Sequence, residues 1–189
     1  MIRFDSACAA KGGAVKLARQ QFDHDPQLHR GTLALYLEQY GITLHDAGRL
    51  NEACDAKGEA VVHMRKQYEG NPDTHRASLA SYLEQYGITA HAAEEWVEAC
   101  ETKQETVTVQ RELAARDPRA QRSELASRVE QYGIALHSAG QHHDACVAKG
   151  EAVELIRACC DEKPFSPRLI ASSKLALTTW QAQFEARGE

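Results

Sequence analysis

Long apolar runs are missing from this chain of 189 residues. No stretch approaches the 18 or more consecutive apolar residues of a transmembrane helix, and residues 1–13 lack the apolar centre of a signal peptide. A basic balance is missing as well. Twenty-two Lys and Arg against 27 Asp and Glu give a net charge of −5 and a pI near 6.0. That excludes the broad positive face which nucleic acid or an anionic membrane surface requires and leaves room only for a local basic patch. There is no C-x-x-C pair of the kind that supplies close zinc ligands. No glycine-rich loop opens a helix to hold a phosphate, and no Ser or Cys nucleophile sits in a signature with its base. The chain therefore reads as a non-enzyme with no cofactor. Six cysteines without a secretion signal read as reduced thiols in a cytosolic or nuclear compartment, and the expected location is cytoplasmic.

What is present is repetition. "YLEQYGITLHDAGRLNEACDAKGEAV" at 36–61 returns as "YLEQYGITAHAAEEWVEACETKQETV" at 82–107 and as "RVEQYGIALHSAGQHHDACVAKGEAV" at 128–153. Cysteines at Cys8, Cys54, Cys100 and Cys146, lysines at Lys11, Lys57, Lys103 and Lys149, and prolines at Pro26, Pro72, Pro118 and Pro164 all step by 46 residues. Two arginine columns keep the same step, Arg19, Arg65, Arg111, Arg157 and Arg30, Arg76, Arg122, Arg168. A fixed period of this size is the signature of stacked supersecondary units, each too small to bury its own apolar face.

Within a unit the spacing is helical. Leu33, Leu37, Tyr40 and Leu44 fall on one face of a first helix, A. Gly48 can take the left-handed conformation that ends it, and a second run through Ala53, Cys54, Ala60, Val61, Met64 and Tyr68 forms helix B. That run stops near Gly70 and Pro72. Nothing alternates as a strand would, so the class is all-α. The units expected are a partial repeat at 1–30 holding only a helix B, full repeats at 31–76, 77–122 and 123–168, and a capping helix at 169–189. That makes about eight helices in one domain.

These residues resemble tetratricopeptide repeats. Leu37-x-x-Tyr40-Gly41-x-x-Leu44 is similar to the helix A signature, and Ala53, Ala60 and Pro72 fall where the family has small residues and proline. The period of 46 departs from the common 34, and Lys57 stands where an aromatic is usual. The chain looks most like the long-period, kinesin-light-chain-like repeats of fungal and bacterial arrays, which often accompany nucleotide-binding or caspase-like domains. The resemblance implies a right-handed superhelical α-solenoid that holds a partner in a concave groove.

The groove face implied by the resemblance carries three parallel columns: Glu38, Glu84, Glu130; Ile42, Ile88, Ile134; and His45, His91, His137. The expected function is a protein-binding scaffold whose groove has an apolar floor and an acidic edge. It would suit a protein or peptide segment with Lys or Arg beside an aliphatic anchor. A Glu-Glu-Val-Asp carboxylate tail is excluded, because the Lys, Asn and Arg of the chaperone clamp are replaced by Glu and Ile. The alternative is a structural segment of a larger multidomain protein that self-associates through its uncapped first helix. Gly41, Gly87 and Gly133, inside helix A, are read as sites of close approach to helix B, since a helical Gly costs about 1 kcal/mol against Ala. The cysteine column reads as small buried packing, with equivalent thiols about 8–10 Å or more apart and out of disulfide reach. Lysines of the Lys57 column are expected to lay their stems across helix B with the ammonium in water. His142, His143 and Cys146 in "GQHHDAC" have helical spacing that can place two ligands on one metal. That spacing alone assigns no metal.

Overall fold

A computed structural model of the chain describes residues 2–161. Its helices are α1 (Ile2–His24), α2 (Pro26–Asp46), α3 (Leu50–Gly70), α4 (Pro72–Ala92), α5 (Trp96–Arg116), α6 (Pro118–Ser138) and α7 (His142–Asp161). There is no strand among the described residues. The odd-numbered helices are of the B type and the even-numbered of the A type. The capping helix expected at 169–189 lies outside the described residues.

Prolines of the repeat do more than stop helix B. Pro26, Pro72 and Pro118 each open an A helix at its first position, where the missing N–H would have had no partner. The single residue between the helices is Asp25, Asn71 or Asp117, and its side chain accepts from backbone N–H groups of the first turn. Helix A thus begins inside the segment that the unit boundary at 30/31 assigned to the preceding repeat. Each helix from α2 to α6 runs 21 residues, about 31 Å, so the length added to the common repeat is shared between A and B.

The return from A to B takes three residues closed by two backbone bonds. In the first unit Gly48 N donates to His45 O and Arg49 N to Leu44 O, with Gly48 at φ 75°. Gly140 repeats this at φ 77°, and Glu94, at the same column, is forced to φ 61°.

Each helix packs on the next, from α1 on α2 through α6 on α7. Bonds between alternate helices add two lateral layers. In the B layer, Arg19 pairs with Glu59, Arg65 with Glu105 at 2.5 Å and Arg111 with Glu151 at 2.7 Å. These groups are half exposed, so each pair contributes about 1 kcal/mol or less and serves register more than stability. In the A layer, His45 Nδ1 lies 3.1 Å from Thr89 Oγ1, and His91 Nε2 lies 3.0 Å from Ser138 Oγ. Between the layers sits the core: Leu33, Leu37, Leu44, Leu79, Leu83, Val61 and Val129 are all buried, together with the small residues Ala53, Ala60 and Ala99. Full burial of one such Leu or Val contributes about 1.5–3 kcal/mol. Cys8, Cys54 and Cys100 are buried free thiols within these clusters, and burial pushes the Cys54 thiol up to about 12.

Candidate functional site

The Glu-Gln-Tyr-Gly motif is mostly a lock between helices. Tyr40 lies over Gly12 of the preceding helix, its ring carbons 3.5 Å or more from where a Cβ would stand, and Tyr86 lies over Gly58 slightly closer, with Cζ at 3.4 Å. Gly41 receives the Lys57 stem of the following helix. A Cβ on Gly41 would come 2.5 Å from Lys57 Cγ, one on Gly87 3.0 Å from Lys103 Cε, and one on Gly133 3.0 Å from Lys149 Cγ. Close approach was the expectation for these glycines, and the neighbour that fills the notch is the lysine column.

Lys57 and Lys103 depart from expectation, whereas Lys11 and Lys149 are only half-buried. Lys57 is 2% exposed, with Nζ donating to Gln85 O at 3.2 Å, and Lys103 is 3% exposed. Burial lowers the pKa of both, opposed by the carboxylate of Glu38 or Glu84. Their ammonium groups do not reach water because the glycine notch draws each stem inward between helices A and B. The Arg30 column, near the start of each A helix, makes different contacts from unit to unit. Arg76 donates to Glu112 at 2.8 Å and to Asp73 at 3.3 Å, whereas Arg30 stands over the Phe22 ring and Arg122 donates to Ala158 O.

Because Glu and Gly are three apart, they share a helix face, and the buried lysine passes from one towards the other. Glu84 Oε1 accepts from Lys103 Nζ at 2.8 Å and pairs with Arg128 at 3.0 Å. Glu38 has Tyr82 where Glu84 has Arg128, and a phenol brings no positive charge. Its Oε2, like that of Glu84, is buried without a hydrogen-bond partner, and burial pushes the Glu38 pKa up to about 7 against the opposing pull of Lys57. Glu38 and Glu84 are therefore interior residues, and Glu130 alone of the three is exposed.

Of the other candidate residues, Ile88 is 38% exposed, and Ile42 and Ile134 are half-buried. The histidines are half-buried and bound laterally: His45 to Thr89, His91 to Ser138 with its ring edge-on to Trp96 at 5.1 Å, and His137 to His142. Two exposed residues on α2, Leu35 and Tyr36, escaped the sequence reading. Leu35 lies seven before Ile42, on the same face. The available signal was divergence, since Leu35 stands where the next two units have Ser81 and Ser127.

No protein family signature matches the sequence. Nor does any characterised protein match it by sequence. Among solved structures, BtubC (BKLC) from P. vanneervenii is similar, with a TM-score of 0.59 at 15% identity, over 95% of this chain and 66% of that one. The chain thus spans a little under two thirds of BtubC. MamA aligns with a TM-score of 0.38 at 15% identity, over 81% of this chain and 92% of that one. In fold, the chain is a tetratricopeptide-like solenoid of antiparallel helix pairs with a right-handed superhelix. Among the described residues no helix is long and apolar enough to cross a membrane.

Proposed function

We propose that the chain is a protein-interaction scaffold that holds a partner segment along the A-helix face, by recognition without chemistry. The observation that carries this is an apolar strip on successive A helices: exposed Leu35 and half-buried Ile42 on α2, exposed Ile88 on α4 and half-buried Ile134 on α6. Interior packing already accounts for Glu38, Glu84 and the Tyr and Gly columns, but Ile88 and Leu35 spend apolar area on solvent. Glu130 offers the strip an accessible carboxylate, so the partner is an extended or helical segment with an aliphatic or aromatic anchor and a Lys or Arg near the α6 end. The remaining ladder residues, Glu38, Glu84, His45, His91 and His137, shape this face from beneath.

The test is affinity capture with wild-type chain beside an Ile88→Asp, Ile134→Asp variant and a control variant, Val62→Asp, on a B helix. All three must keep a cooperative helical melt. Partners lost only from the A-face variant support the reading. Partners retained by it, or lost equally from the control, refute it.

A second reading rests on α1. Ala10 and Leu17 are exposed, whereas their equivalents Ala56 and Val109 are buried. That face of α1 matches the face of α3 that α2 covers, so a further A-type helix fits it. On this reading the chain is a structural segment that assembles with more repeats or with another copy. Concentration-dependent sedimentation, abolished by Leu17→Glu, supports this reading, and a monomer at every concentration opposes assembly with a second copy.

A further inference from the structure

The α6–α7 turn brings two imidazoles together in a way no sequence spacing announced. Gly140 at φ 77° lets Gly140 N donate to His137 O and Gln141 N to Leu136 O, which folds the first residue of α7 back over the last turn of α6. His142 consequently faces His137, with Nδ1 to Nδ1 at 3.2 Å, ring centroids 5.0 Å apart and an interplanar angle of 56°. The same turn places Trp96 on His91 one unit earlier, centroids 5.1 Å apart, and Leu50 after His45 one unit before that. The turn is shared, and only in the third unit does it carry a second nitrogen donor.

Zinc–imidazole bonds of about 2.0–2.1 Å with nitrogens at this separation give an N–Zn–N angle of about 103°, close to tetrahedral. The two rings already face each other across the turn through their Nδ1 contact, so little ordering is needed on binding. Among the described residues no group of three or more His, Cys, Asp or Glu is arranged to hold a metal, so the pair itself supplies two ligands. From this geometry we infer that His137 and His142 chelate a late first-row divalent cation, for which zinc is the reference ion, at the α6–α7 turn. His143 and Cys146, the other members of "GQHHDAC", are not ligands in this arrangement.

The repeat supplies its own fold-preserving controls, because Trp and Leu already occupy this place in the other units. Titration calorimetry with zinc chloride on the full chain is expected to show one site. His142→Trp, His142→Leu and His137→Ala are each expected to weaken it by about tenfold or more, the loss of one of two ligands. His143→Ala and Cys146→Ser should leave it unchanged, and the imidazole resonances of His137 and His142 should shift with zinc. Three results would each overturn the inference: no binding by the wild type, binding that survives both His142 variants, or binding removed by His143→Ala or Cys146→Ser. In the first case the pair is ring packing that shares a proton. The A-face capture experiment uses none of these substitutions, so the two proposals fail separately.

Discussion

Replacing Glu38 by Gln should stabilise the protein at neutral and higher pH, although it removes a charge from beside a buried lysine. Burial raises the Glu38 pKa from its ordinary value near 4.5 to about 7. The folded state therefore holds a proton that the unfolded chain has already released. Below pH 4.5 both states are protonated, and the group contributes nothing. As pH rises from 4.5 to 7 the unfolded chain ionises and the folded one does not, so folding loses stability through that window and stays lowered above it. A shift of this size corresponds to about 3 kcal/mol at full effect. Glutamine reproduces the shape of the protonated acid and does not titrate. Urea unfolding of wild type and Glu38→Gln should agree at pH 4.5 and diverge to about 2–3 kcal/mol in favour of the variant at pH 8. A difference independent of pH, or a variant less stable at pH 8, would refute the argument that the Glu38 carboxylate lacks compensation.

At Glu84 the same residue type should behave in the opposite sense. Glu84→Ala leaves the Lys103 ammonium buried without its carboxylate and should cost about 3–5 kcal/mol by urea unfolding at pH 7. Glu94→Gly should raise stability by about 0.5–1 kcal/mol in thermal melts, because Glu94 sits at φ 61° where the other two units have glycine. Gly41→Ala should lower stability by about 1 kcal/mol despite the better helix former, since the new Cβ meets the Lys57 stem and overpacking of 1–3 kcal/mol outweighs the helical gain. An Ala variant as stable as wild type would mean the lysine stem moves freely.

The repeat was plain in the sequence because every column keeps one step, and the helix pair followed from apolar spacing and from glycine and proline at the ends. The fate of the charged columns was not plain. Lys57 and Glu38 look like surface residues on any single helix. Their burial arises only when Gly41 opens a notch opposite Lys57, which is a relation between two helices. The divergence of Glu38 from Glu84 lies further off, in whether the next A helix offers Tyr82 or Arg128 at the matching position. Proline was half legible: its power to end helix B is local, whereas its role in starting helix A depends on the Asp25, Asn71 or Asp117 cap before it. The histidine column read as part of the groove face, and its ties to Thr89, Ser138 and His142 were not legible because those partners lie in other units or across a turn. Leu35 and Ile88 stand out only once packing is seen to leave them uncovered on the A-helix face.

Site-specific photo-crosslinking tests the binding claim most directly. A benzophenone side chain placed at Ile88, on the open A-helix strip, should capture a discrete partner from cell extract, and the captured segment should carry a hydrophobic anchor with Lys or Arg nearby. The same group at Val62, on a B helix, should not capture it. Equal capture at both positions, or none at Ile88, would contradict the account and leave the A-helix face as interior packing of a structural array.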